Sequence, residues 1–137
     1  MTPSVRTIHI AAALIDDDAG RLLLVRKTGT ECFMQAGGKI EPGESASTAL
    51  RRELNEELTI SVSEDDLRYL GRFSSPAAHE PDHMVVADLF HVTLRHHPDA
   101  RPGAEIEDIV WVGHVEAAAM RLAPLTRDHV LALALAL

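Results

Sequence analysis

Glu53, Glu56 and Glu57 fall within five residues of "GGKIEPGESASTALRRELNEEL" (Gly37–Leu58). That stretch holds eight charged side chains, five of them carboxylates, against Lys39, Arg51 and Arg52. If it is helical, residues three and four apart share a face, so the three acids meet. Advancing about 100° per residue puts Ala49, Leu50, Leu54 and Leu58 on one apolar arc. Glu53 and Glu57 fall inside that arc and Glu56 at its edge, while Thr48, Arg51, Arg52 and Asn55 take the opposite, solvated side. An unpaired charge facing a core costs on the order of several kcal/mol, and adjacent carboxylates raise one another's pKa. Two arrangements relieve this conflict. One is a salt-bridged surface helix using Arg51 and Arg52; the other recruits hard divalent cations, which take carboxylate, water and phosphate oxygens.

The residues before the helix favour cations. Gly37-Gly38 closes a strand and lets backbone approach a ligand, Pro42-Gly43 turns the chain, and Ser45 is placed to cap the helix. Lys39 and the nearby helix N-terminus suit phosphate oxygens. Strand, glycine loop, turn and acid-lined helix form a metal-plus-phosphate layout.

The segment resembles the Nudix box, G-x5-E-x7-R-E-U-x-E-E-x-G-U, where U is a bulky aliphatic residue. Gly38, Glu44, Arg52, Glu53, Leu54, Glu56, Glu57 and Ile60 match, and Thr59 stands where the family has glycine. The family often shows Trp-x-Leu-Pro before the glycines; here Phe33-Met34-Gln35-Ala36 takes that place, which bears on the substrate side of the strand. The resemblance implies a single domain over residues 1–137, α/β (α+β) in class, an α/β/α sandwich around a mixed sheet. It implies Mg²⁺-dependent hydrolysis, with Mn²⁺ as a substitute, of a diphosphate linkage in a nucleoside diphosphate joined to a group X. The implied metal ligands are Glu53, Glu56 and Glu57, helped by a backbone carbonyl at Gly37 or Gly38. Arg52 would orient Glu53, and Glu44 would be an outer ligand or a partner of Arg52. The catalytic set is then Glu53, Glu56, Glu57 and Arg52, the general base being a helix glutamate or a later carboxylate, Glu105 or Glu107. Lys39, Gln35, His79, Glu80, Glu105 and Glu107 are the candidate substrate contacts. Narrower readings are a triphosphatase for oxidised guanine nucleotides and a non-catalytic nucleotide sensor, against which the three intact glutamates weigh.

These residues need a scaffold. Strand-like runs cover about residues 5–15, 21–27, 31–36, 67–74, 83–95 and 106–112, with a helix from Ser45 to Leu58. "GHVEAAAM" and "TRDHVLALALAL" read as two closing helices, although Leu/Ala alternation has period two. Alternating strands and helices point to helices packed on a mixed sheet. "IHIAAALI", followed by three aspartates, Ala19-Gly20 and "RLLLVRK", reads as a hairpin rather than a leader.

A net charge of −8 disfavours a nucleic acid polymer as partner, so a small anionic nucleotide would be held through cations. No apolar run approaches about 18 residues, so no membrane association is expected. The single Cys32 leaves no internal disulfide and fits a reducing, cytoplasmic compartment. His79-Glu80-Pro81-Asp82-His83 spells H-E-x-x-H, but Pro81 interrupts the helix a zinc site needs, so a loop near the substrate is expected instead. The His96-His97 pair reads as solvated, and the apolar "LALALAL" tail is expected to pack either internally or across a homodimer, the dimer being favoured.

Overall fold

The computed structural model describes residues 5–94 and 100–137, so the His96-His97 pair lies outside the described residues. Along the chain run β1 (Arg6–Asp16), β2 (Leu22–Lys27), β3 (Phe33–Met34), β4 (Ala36–Lys39) and α1 (Ala46–Leu58). They are followed by β5 (Arg68–Pro76), β6 (His83–Thr93), β7 (Ile106–Val112) and α2 (His114–Ala118). A π-helical turn over Thr126–Val130 then runs into α3 (Leu131–Ala136).

β1 and β6 pair in parallel over their whole length, from Arg6 opposite His83 to Asp16 opposite Thr93. The other ladders are antiparallel: β5 on β6, β4 on the middle of β1, and β2 between β3 and β7. The mixed sheet expected from the sequence is therefore present.

Period-two alternation divides the sheet's side chains between two helical layers. Ala11, Ala13, Ile15, Leu23 and Val25 pack under Ala49, Leu50, Leu54 and Leu58 of α1. Ala12, Leu14, Ala87 and Leu89 face the other way, against Leu125 and Val130. Leu24 and Val112 meet Ala117 of α2 and Leu122. The result is a helix–sheet–helix sandwich of the α+β class. The Leu/Ala tail is helical; Leu131, Leu133 and Ala134 pack on the sheet while Leu135 and Leu137 are exposed.

Two boundaries beside the site differ from the sequence reading. Gly37-Gly38 does not end a strand but lies inside β4, with Gly37 opposite Ala12 and Gly38 opposite Ala11. The run expected over residues 31–36 is broken at Gln35, which separates β3 from β4. The missing Cβ atoms explain this: a Cβ on Gly37 would sit 2.6 Å from Ala12 Cα, and one on Gly38 would sit 2.6 Å from Glu53 Oε2. Glycine lets β4 lie between β1 and α1.

Candidate active site

α1 starts where Ser45 caps it, its hydroxyl accepting the Thr48 N–H at 3.2 Å. Its apolar side carries the acids as the helical spacing requires. Glu57 is 6% exposed, and the Glu53 and Glu56 side chains are 16% and 53% exposed. With Glu105 they line an open cleft of about 500 Å³ between α1, β4 and the segment before β7.

Arg52 is not solvated as expected. It is drawn in by carboxylates, donating through Nε and Nη2 to both oxygens of Glu44, at 2.9 and 2.8 Å. Nη1 reaches Glu53 Oε1 at 2.9 Å, and Nη2 also reaches the Lys39 carbonyl at 3.1 Å. The fork-shaped guanidinium can make these bonds at once, whereas an ammonium presents a single point charge. Hydrogen bonding to Arg52 holds the Glu44 carboxyl down at about 2. Of the two positions expected for Glu44, the structure shows the partner of Arg52.

Glu57 behaves oppositely. Burial pushes its carboxyl up to about 7, against the opposing effects of the Gly37 N–H, which donates to Oε1 at 2.8 Å, and the Lys27 charge. Neighbouring Glu53 and Glu105 push the same way as burial.

Among the described residues, no three acidic, histidine or cysteine side chains are grouped closely enough to hold a metal ion as they stand. Glu53 is turned to Arg52 and Glu57 to Gly37, although they share one cleft with Glu56. The donor set nonetheless suits a hard divalent cation: all oxygen, strongly acidic, and with Glu57 in a place that penalises its negative charge.

A second, largely apolar cavity of about 140 Å³ adjoins the acidic cleft. Ile8, Ile10, Met34, Val85, Pro124 and Leu125 line it, and Lys27, Gly37, Gly38 and Lys39 border both spaces. Gln35 lines the apolar cavity, its Oε1 accepting the buried Thr126 hydroxyl at 2.6 Å.

The NUDIX domain model matches residues 6–133. The chain belongs to the NUDIX domain family. It is 34% identical over 127 residues to the CTP pyrophosphohydrolase of Escherichia coli K12, covering 88% of this chain and 86% of that one. It is also 36% identical over 112 residues to an octanoyltransferase of Myxococcus xanthus, covering 80% of this chain but spanning only 31% of that protein. The solution structure of the E. coli ORF135 protein superposes with a TM-score of 0.73 at 29% identity, covering 94% of this chain and 89% of that one.

Within this Nudix domain not every expected residue reaches the cleft. Glu80 and Lys39 border the cavities, whereas His79 is exposed and outside both. Glu107 is exposed on β7, its carboxylate 3.4 Å from the Thr28 hydroxyl, and does not line the acidic cleft; Glu105 precedes the strand at φ +67°, so the two carboxylates do not share a strand face. The His79–His83 stretch is bend and turn running into β6, and His83 Nδ1 meets the Pro81 carbonyl at 2.7 Å, so its histidines do not share a helical face. Lys27 and Thr126 were missed. Lys27 ends β2 without any local motif, and Thr126 meets Gln35 across 91 positions of sequence.

Proposed function

We propose that this Nudix-type pyrophosphohydrolase cuts the phosphoanhydride of a nucleoside triphosphate, with its phosphates at the acidic cleft and its base in the apolar cavity. One observation carries the reading: Lys27, Gly37, Gly38 and Lys39 border both an acid-lined space and an apolar one. A ligand with an anionic end and a flat, weakly polar end fits that pairing.

Glu53, Glu56 and Glu57 would hold a divalent cation, Mg²⁺ or in its place Mn²⁺. When bound, the cation offsets phosphate charge and makes water a better nucleophile. The chain's own groups supply the rest. Lys27 and Lys39 attract phosphate oxygens from the rim, and Arg52 keeps Glu53 in one orientation. Glu105 lines the same cleft and would be the carboxylate that accepts a proton from water. With Gln35 Oε1 engaged by Thr126, its amide N–H₂ is the end that serves an acceptor on the base.

A cytidine triphosphate is the first substrate to test, because the E. coli relative that matches along most of its length is named for CTP. The lone Cys32 supports a cytoplasmic setting, and the exposed Leu135 and Leu137 support a homodimer through α3. Among the described residues no helix is long and apolar enough to cross a membrane.

The test is a panel of nucleoside triphosphates, oxidised guanine forms included, incubated with Mg²⁺, with phosphate and pyrophosphate release measured. Selective release of pyrophosphate from a pyrimidine triphosphate is expected. Binding of nucleotides without any cleavage would establish a sensor instead.

A further inference from the structure

We infer that Gly103 is a positioning residue for the acidic cleft, clasping the helix turn that carries Glu56 and Glu57 and setting it against Glu105. This rests on the cation-binding role proposed for those glutamates. A helix leaves its last four carbonyls without intrahelical partners. In α1 these belong to Asn55, Glu56, Glu57 and Leu58. The Thr59 N–H satisfies Asn55 at 3.0 Å. The other three are taken by a segment more than forty residues downstream: Ala104 N–H to Glu56 at 3.2 Å, Gly103 N–H to Glu57 at 2.8 Å, and Arg101 N–H to Leu58 at 2.9 Å.

The approach is so close that only glycine fits at its centre. A Cβ on Gly103 would overlap the Glu56 carbonyl oxygen and sit 3.1 Å from the Glu57 carbonyl carbon. These neighbours are backbone atoms of a packed helix, so they cannot swing aside as a side chain would. Two residues on, Glu105 stands at φ +67° with its carbonyl accepting the Thr28 N–H at 2.9 Å. One short segment is thus pinned to the end of α1 and to the residue after β2, and between those pins it presents Glu105 to the cleft. The bonds fall on the backbone of the very residues whose carboxylates line the site, so the clasp sets where those carboxylates start. A misplacement of about 1 Å at a reacting centre is enough for roughly a hundredfold in rate.

The experiment compares the parent with Gly103→Ala by circular dichroism, Mn²⁺ titration followed through the electron-spin signal of free Mn²⁺, and steady-state kinetics. A folded variant is expected to bind Mn²⁺ about tenfold more weakly and to lose at least tenfold in kcat, with KM for the nucleotide within about twofold, since the clasp lies away from the apolar cavity. A lower melting temperature with unchanged Mn²⁺ affinity and kcat would make the glycine merely structural and overturn the proposal. Hydrogen exchange on the metal-free parent covers a variant that fails to fold. Slow exchange at Arg101, Gly103 and Ala104, slowed again by Mg²⁺, supports the clasp; free exchange at those amides refutes it. A parent that takes up no Mn²⁺ at all defeats the cation reading itself, and the positioning role with it, a result distinct from equal uptake by both proteins.

Discussion

Gly37 donates its N–H to Glu57 Oε1 at 2.8 Å, tying β4 to the buried end of α1. That single bond does not outweigh burial, which is why the carboxyl sits at about 7 rather than 4.5. Between those values the folded chain holds the proton more tightly than the unfolded one, so metal-free stability falls as pH rises through the window. The full difference is roughly 3 kcal/mol. Glu57→Gln should flatten this dependence in urea unfolding with chelator at pH 5 and pH 8. It should also lower Mg²⁺-dependent turnover on the order of a hundredfold or more. Parent-like turnover would remove Glu57 from the site.

Arg52 joins Glu44 to Glu53, and its removal releases both. Arg52→Ala should lower kcat roughly 10–100-fold while the fold persists, and Arg52→Lys should recover little, because one ammonium cannot serve both carboxylates. The Glu44 carboxyl, held at about 2 by Arg52, should titrate closer to the ordinary carboxylate range in Arg52→Ala. Carbon-13 NMR of the glutamate carboxyls reads this directly. An unmoved Glu44 titration would show that Arg52 does not control it.

Local physics made the helix legible. Glu53 and Glu57 lie inside the apolar arc because α1 has one face to bury, and the i, i+3, i+4 spacing survives any tertiary arrangement. Strands were readable for the same reason, by their alternation. What stayed hidden depends on register and long-range contact. Gly37-Gly38 looked like a strand end because glycine disfavours strands, yet close packing between β1 and Glu53 needs it there. Arg52 was placed on the wet side by helical angle alone, which takes no account of Glu44 folding back over it. Gly103 and Thr126 carry no motif at all, since their partners lie across the fold.

Thr126 donates to Gln35 inside the protein, with Thr126 fully buried. Gln35→Leu should raise KM for the preferred nucleotide by about three- to tenfold, the worth of one neutral hydrogen bond. It should also destabilise the fold by about 1–3 kcal/mol, because the Thr126 hydroxyl loses its acceptor. Adding Thr126→Val should restore most of that stability without restoring KM. Denaturant melts and initial-rate measurements separate the two effects; a KM unchanged in both variants would take Gln35 out of substrate recognition.

Asp88 collects three donors: Tyr69 Oη at 2.8 Å, His9 Nε2 at 2.8 Å and Arg72 Nε at 3.1 Å. Burial alone would raise its carboxyl, but the hydrogen bonds from Arg72, Tyr69 and His9 prevail and hold it below 3.8. A lowered carboxylate stabilises the fold above its unfolded value and loses that contribution as pH falls through the folded one. Asp88→Asn should therefore be less stable than the parent at pH 7, and the gap should narrow below about pH 4. Chemical denaturation at pH 3 and pH 7 checks this, and a gap that stays constant would exclude the linkage.

Thr59 ends α1 in the left-handed region, at φ 56° and ψ 30°. The position closes the helix, since its N–H bonds the Asn55 carbonyl at 3.0 Å, and a β-branched residue is poorly suited to it. Its hydroxyl, 2.6 Å from the Leu58 carbonyl, adds a local bond that partly offsets the strain. The left-handed conformation costs a residue with a Cβ roughly 1–2 kcal/mol. Glycine removes that cost but is freer in the unfolded chain, so Thr59→Gly should stabilise by about 1 kcal/mol net. For a domain of this size that is a rise of roughly 3–5 °C in Tm. Thr59→Ala keeps the Cβ and drops the hydroxyl bond, so it should fall below the parent. Thermal unfolding of the three proteins side by side decides the matter, and a Thr59→Gly melting point at or below the parent's would mean that the hydroxyl bond outweighs the strain.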